Sequence, residues 1–291
     1  MAIKKDTLDG LLAGRDPQAV FAKDGLFDEL KKALAERVLN AEMGLPRLFG
    51  ASILIFAALL FSPQLALAQF TQQGPKLVGA GAVGELVEQG FSVALSADGN
   101  TAVVGGLNDN GGAGAVWVFT RSNGVWTQQG NKLVGAGAVG TADQGLSVAL
   151  SADGNTALVS GVGDNSLAGA VWVFTRSNGV WTQQGNKLVG AGTVGTANQG
   201  VSVALSADGN TALVGGPGDE DAGAAGAVWV FTRSNSVWTQ QGNKLVGAGA
   251  VEVAEQGWSI TLSADGNTAV AGGLSDNGGD GAAWVFVAAS R

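Results

Sequence analysis

The sequence predicts an all-β chain: a four-bladed β-propeller of four-stranded antiparallel blades, closed by the N-terminal strand and preceded by helical N-terminal segments. Three observations lead there. A block of eighteen residues recurs four times, as QGFSVALSADGNTAVVGG, QGLSVALSADGNTALVSG, QGVSVALSADGNTALVGG and QGWSITLSADGNTAVAGG, starting at Gln89, Gln144, Gln199 and Gln256. The spacings of 55, 55 and 57 residues are those of blades or solenoid coils. Glycine supplies 48 of 291 residues, more than twice its usual share of about 7 %, and marks frequent turns.

In chain order, residues 1–43 come first. Leu26, Leu30, Leu34 and Val38 recur every fourth residue and predict one apolar face of a helix. Asp24 is placed to cap its start, and Asp28 and Lys32 form a favourable i, i+4 pair. Residues 44–68 read as a secretory signal peptide. Arg47 is the positive flank, Leu48 to Phe61 the apolar run, and Ala66-Leu67-Ala68 the cleavage site ahead of Gln69. The run is fourteen residues long, short of the ~20 that span a bilayer. The working precursor is therefore expected to start at or near Met43, with residues 1–42 joined on by an insertion element or by the assignment of the start codon.

From Gln69 to Arg291 the repeats take over. Within one unit, Ser92 to Ser96 alternates, Asp98-Gly99 is a two-residue hairpin signal, and Thr101 to Val104 returns. A loop of Gly, Asp and Asn leads to Ala115–Arg121, then Ser122-Asn123-Gly124 turns the chain into Val125–Gln129. Four short antiparallel strands make a propeller blade. The stretch after Ala68 resembles a fourth strand, while the last repeat stops after its third, so the chain ends complement one another as ring closure requires. The competing architectures are an open fragment of a larger ring and two chains that close an eight-bladed one.

Composition removes several chemistries. With no Cys, His or Tyr there is no disulfide, no thiolate or imidazole metal ligand and no histidine-based triad. Residues 1–68 balance eight basic against eight acidic side chains, so the whole net charge of −8 lies in residues 69–291. That sign argues against nucleic acid and anionic lipid as partners of the repeats.

Two resemblances add to this reading. Residues 1–43 are similar to the N-terminus of Mutator-like insertion-sequence transposases; nothing after Met43 matches, so no transposase active site carries over. Residues 69–291 resemble the FG-GAP repeats of integrin alpha chains and bacterial secreted proteins. That likeness rests on Gly90 and Ser92, the VVGG turn, the GAVWVFTR strand and Gly215-Gly216-Pro217. It departs where Gln89, Gln144, Gln199 and Gln256 stand in place of a phenylalanine, and in lacking the family's calcium loop. The hairpin Ala97-Asp98-Gly99-Asn100 offers one carboxylate, too few for the six to eight oxygens that calcium takes.

The candidate sites are the loops before each third strand. Asp219, Glu220 and Asp221 are the candidate metal ligands, for Ca2+. Asp109, Asn110, Asp164, Asn165, Asp276, Asn277 and Asp280 are the candidate ligand rim, against the competing reading of plain turn chemistry. Trp117, Trp172, Trp229 and Trp284 sit at equivalent positions and are expected in the core, as are Trp126, Trp181 and Trp238. Arg121, Arg176 and Arg233, and Lys132, Lys187 and Lys244, read as a solvated face. The GAGAVG strings lack the strand and helix that a dinucleotide fingerprint needs.

The expected function is a secreted, periplasmic or envelope-exposed FG-GAP repeat protein, monomeric and non-catalytic, binding extracellular protein or carbohydrate. Contact with a membrane would come only through an uncleaved signal segment. The alternatives are a glycan-active propeller using loop carboxylates, or a transposase-derived fusion without activity.

Overall fold

Each repeat folds as its pattern of strand and turn residues dictates. The computed structural model describes residues 70–289. The chain divides into Met1–Thr71 and Gln72–Arg291. The expected helix in residues 1–43 and the expected signal peptide in residues 44–68 lie outside the described residues.

The first sheet is an antiparallel meander of β1 (Val93–Leu95), β2 (Thr101–Gly106), β3 (Ala115–Ser122) and β4 (Val125–Gln128). The second contains β5 (Gln144–Leu150), β6 (Thr156–Gly161), β7 (Ala170–Ser177) and β8 (Val180–Gln183). The third contains β9 (Ser202–Leu205), β10 (Thr211–Gly216), β11 (Ala227–Ser234) and β12 (Val237–Gln240). The fourth has three strands, β13 (Ser259–Leu262), β14 (Thr268–Gly273) and β15 (Ala282–Val287). Register repeats with the sequence: Val104 faces Trp117, Val159 faces Trp172, Val214 faces Trp229 and Ala271 faces Trp284.

The core lies between sheets rather than within one. Val103, Val116 and Val118 of the first sheet pack with Val148, Val159, Trp172 and Phe174 of the second. Leu158, Val171 and Val173 of the second pack with Val203, Val214, Trp229 and Phe231 of the third. Leu213 and Val228 of the third close on Ala269 and Ala271 of the fourth. Of the tryptophans expected in the core, Trp126, Trp181, Trp238 and Trp284 are half-buried, while Trp117, Trp172 and Trp229 are fully buried. Each indole N–H donates to a linker carbonyl, at Ala80, Ala136 and Ala191 (2.8 Å in each case). A glycine is required beneath each ring: a Cβ on Gly135 would lie 2.2 Å from the Trp172 indole.

The sheets are joined in one direction. Gly114, Gly169 and Gly226 make parallel bridges to Gln144, Gln199 and Gln256 of the following sheet. Gly114 has φ +72°, and a Cβ there would meet the Gln144 backbone nitrogen at 2.1 Å, so close approach and conformation both demand glycine.

The architecture is thus all-β and propeller-like, a succession of antiparallel meanders packed face to face. Closure by the N-terminal strand is where the structure departs from expectation. Residues 70–92 form no strand, and among the described residues β15 has no fourth strand beside it. Gln73 Oε1 instead accepts from Arg121 Nη1 (3.1 Å) and Trp126 Nε1 (3.2 Å) of the first sheet. The interior repeats give the reason. The Gln129 segment leaves β4 and lays the same contacts on Arg176 and Trp181 of the following sheet. Each linker therefore bridges two sheets, with Lys132 and Leu133 bonding the sheet before it and Gln129, Gly135 and Val139 the sheet after it, and the N-terminal segment makes the second kind of contact with the first sheet.

Candidate functional site

The loops between second and third strands each contain a tight four-residue turn, at Asp109–Gly112, Asp164–Leu167, Asp221–Ala224 and Asp276–Gly279. In three of them the second residue is an asparagine in the left-handed region: Asn110 (φ +52°), Asn165 (φ +51°) and Asn277 (φ +53°). Asparagine tolerates that conformation better than most side chains. The third loop is two residues longer, and Asp219 takes the place of Asp109 ahead of the turn.

Three of the residues expected on an accessible rim, Asp109, Asp164 and Asp276, are buried, as is the candidate metal ligand Asp219. Each carboxylate accepts from the backbone N–H of a linker valine. The donors are Val83 (2.7 Å), Val139 (2.7 Å), Val194 (3.1 Å) and Val251 (2.8 Å). Three also hold a lysine, as Lys132–Asp109, Lys187–Asp164 (2.5 Å) and Lys244–Asp219 (2.6 Å). A buried carboxylate is tolerable when it is paired and hydrogen-bonded in this way. These aspartates are anchors that fasten each linker to its loop, and the lysines read as a solvated face are their counter-ions.

The residues next to them stay on the surface. Asn110, Asn165, Glu220 and Asn277 are exposed, and their backbone N–H groups donate to the carbonyls of Val83 (2.7 Å), Val139 (2.8 Å), Val194 (3.0 Å) and Val251 (3.0 Å). Every repeat thus presents an exposed valine beside a polar side chain on one rim. Asp280 is exposed and accepts from Asn277 Nδ2 (2.7 Å).

The candidate metal ligands do not converge as expected. Lys244 Nζ lies 2.6 Å from Asp219 and 3.2 Å from Asp221, so an ammonium occupies the position a cation would take. Among the described residues no group of three acidic side chains could hold a metal. Asp221 and Lys244 line an open depression with Gln240 and Asn243.

The opposite loops, between first and second strands, are closed on themselves. Ser96 Oγ donates to Asp98 Oδ1 (2.5 Å), and the Asn100 backbone and side-chain N–H groups donate to the same carboxylate. These bonds hold the Asp98 carboxyl down at about 2, with the Ser96 hydroxyl the largest contributor. Arg121, Arg176 and Arg233 are committed too, each stacked over the following tryptophan at 5.3–5.4 Å and bonded through Nε to Asn100, Asn155 and Asn210.

The role of the glutamines was not readable from the sequence. Gln144, Gln199 and Gln256 are buried, and each side-chain amide both accepts from and donates to one linker glycine, at Gly135, Gly190 and Gly247. The amide copies the donor and acceptor of a peptide group. The signal was the fixed glutamine that follows a linker glycine by nine residues in the last three repeats and by ten, at Gly79 and Gln89, in the first.

No protein-family model matches the chain. A stretch of 43 residues, 15 % of the chain, is 72 % identical to the transposase for insertion sequence element ISRM3 of Rhizobium meliloti and to an ISRM3-like element's probable transposase in Sinorhizobium fredii. This bears out the resemblance to an insertion-sequence transposase, though not to a particular family of them, and the match spans 11 % of those relatives. Similar solved structures include TolB of Acinetobacter baumannii (15 % identity, TM-score 0.39, 67 % of this chain and 40 % of that one). Another is the hydrazine synthase of Kuenenia stuttgartiensis (14 %, TM-score 0.44, 73 % and 49 %). A third is a TolB from Agrobacterium tumefaciens (13 %, TM-score 0.41, 67 % and 57 %). At these identities nothing about ligand or activity passes to this chain.

Proposed function

We propose that residues 69–291 are a non-catalytic binding module of FG-GAP type, exported to the periplasm, cell envelope or medium, that engages an extracellular protein through the rim of Asn110, Asn165, Glu220 and Asn277. One observation carries the reading. Each repeat commits its buried carboxylate to a backbone amide, and in three repeats also to a lysine, leaving a rim of three side-chain amides and Glu220, each beside an exposed valine. Protein is favoured over carbohydrate on this rim because Trp117, Trp172 and Trp229 are spent between sheets and Trp126, Trp181 and Trp238 each carry an arginine, which leaves the exposed Trp258 and the half-buried Trp284 as indoles for stacking on a sugar. No helix among the described residues is long and apolar enough to cross a membrane.

The test has two parts. N-terminal sequencing of the native protein should find Gln69 first, and a retained Ala2 would remove the export reading. The protein should then bind surface-displayed proteins of its habitat in a titration that N110A/N165A/N277A weakens at least tenfold. Equal binding by that variant would take the rim out of consideration.

A glycan-active reading has one observation in its favour, the depression beside Asp221 and Lys244. It requires two carboxylates of unlike character some 5–10 Å apart in a cleft. Hydrolysis of a glycan lost on Asp221→Ala would establish it. The transposase-like segment, spanning about a tenth of its relatives, is proposed to be a fused remnant without activity of its own.

A further inference from the structure

We propose that a second copy of this chain docks head to tail, the face of the last sheet (β13–β15) in one copy meeting the first sheet (β1–β4) and N-terminal segment of the other, so that two copies close a ring of eight sheets. The contacts that join successive sheets form directional series, and each series stops with complementary groups at opposite ends. Ala97 N–H donates to Ala152 O (3.0 Å), Ala152 N–H to Ala207 O (2.9 Å) and Ala207 N–H to Ala264 O (2.9 Å). The series leaves an acceptor at Ala97 and a donor at Ala264. The parallel bridges from Gly114, Gly169 and Gly226 likewise leave Gly281 and Gln89 without partners in the series.

The apolar faces end the same way. Val148 of the second sheet is 9 % exposed, whereas its counterpart Val93 in the first is 69 % exposed and Leu95 58 %. At the other end Val285 is 64 % and Val287 71 % exposed, where Val118 in the first sheet is fully buried. Terminal units of an open array carry polar outer faces. These ends are aliphatic, and β15 runs on into Val287-Ala288-Ala289 where the interior repeats have Thr-Arg-Ser.

One charge pair makes the fit specific. Asp276 is the buried loop aspartate of the last sheet and, among the described residues, has the Val251 amide but no lysine. Lys76 stands in the N-terminal segment where Lys132, Lys187 and Lys244 stand in the linkers, and it is exposed. Leu77 corresponds to Leu133, whose backbone pairs with Val116, and the counterpart of Val116 in the last sheet is Ala283. The N-terminal segment of a second copy therefore offers Lys76 to Asp276 and Leu77 to Ala283. Within one chain the first-strand contacts step from β1 to β5, β5 to β9 and β9 to β13, and among the principal contacts none returns from β13 to β1. The exposed ends thus call for a partner, against the monomer expected from the sequence.

Sedimentation of the full chain should give the mass of two chains. Val285→Asp and Val93→Asp each place a charge on an already exposed position of one end, and each variant alone should sediment as a single chain with an unchanged circular dichroism spectrum. Mixing the two leaves one intact pair of ends and should restore a two-chain species. Either variant remaining dimeric alone, or the mixture remaining monomeric, overturns head-to-tail docking. Since the chain has no cysteine, L77C/A283C adds an independent reading. A disulfide-linked species of two or more chains supports a second copy; a bridge within one chain, or none, overturns it.

Discussion

The second sheet and the last one are written in nearly the same sequence and sit in different surroundings. β7 reads AVWVFTRS and is buried over its first five residues, while β15 reads AAWVFV and alternates between exposed and half-buried. Their strand registers are equivalent, with Val159 opposite Trp172 and Ala271 opposite Trp284. Pairing within a sheet is thus set locally by each repeat, and burial is supplied by the next one. Stability in such an array is a sum of unit terms and nearest-neighbour terms.

The largest test of that comparison is at the tryptophans. Trp172→Ala should cost about 3–5 kcal/mol in denaturant unfolding, as expected for a large aromatic lost from a closed site. Trp284→Ala should cost well under half as much, since Trp284 is only partly covered. Equal losses would mean that the last sheet is as enclosed as the second.

Asp164 and Asp276 sharpen the contrast by one step. Asp164→Ala strands Lys187 and the Val139 amide and should cost about 2–3 kcal/mol. Asp276→Ala loses the Val251 amide bond and no lysine, and should cost about 1 kcal/mol in the isolated chain.

A smaller effect lies in the turns between third and fourth strands. Asn123-Gly124 and Asn178-Gly179 place both residues at positive φ, as the type I′ hairpin requires. The third repeat has Ser236 at φ +65° in the glycine position. Ser236→Gly should raise the unfolding free energy by about 0.5–1 kcal/mol, and a loss would show that the Ser236 side chain does more than tolerate its conformation.

The mildest contrast is in acid. Burial pushes the Asp153 carboxyl up, but bonds from Ser151 and Asn155 outweigh it and hold it below the usual range; Asp98 and Asp265 are lowered first by their serine hydroxyls. A folded-state pKa below the unfolded value near 3.9 gives stability that is present above pH ~4 and lost as pH falls toward 2. Asp98→Asn should flatten that part of the profile, and an unchanged acid slope would detach these turns from acid unfolding.

Much of this was legible beforehand. The repeat period, the Asp-Gly and Asn-Gly hairpins and the fixed tryptophans identify the strands, their order and the core, because each is a local signal. The direction in which a linker packs is not local: Gln73, Gln129 and Gln184 look like the ends of their own strands, yet their side chains bond the following sheet. The loop aspartates were misread for a related reason. An Asp-Asn pair in a glycine-rich loop has the composition of a solvated turn, and only the fold brings Val139 and Lys187 to Asp164 and takes it out of water.

Because every linker bonds the sheet before it and the sheet after it through the same positions in each repeat, a segment cut at one repeat boundary carries one complete half of each seam on either side. Three of the four third strands are identical over eight residues, from Ala115, Ala170 and Ala227. A gene encoding such near-copies is open to unequal crossing-over, and a chain that gained or lost one unit of about 55 residues would meet the same neighbours it had before. The number of sheets is thus free to drift between lineages, while the seam between them is what selection must hold constant.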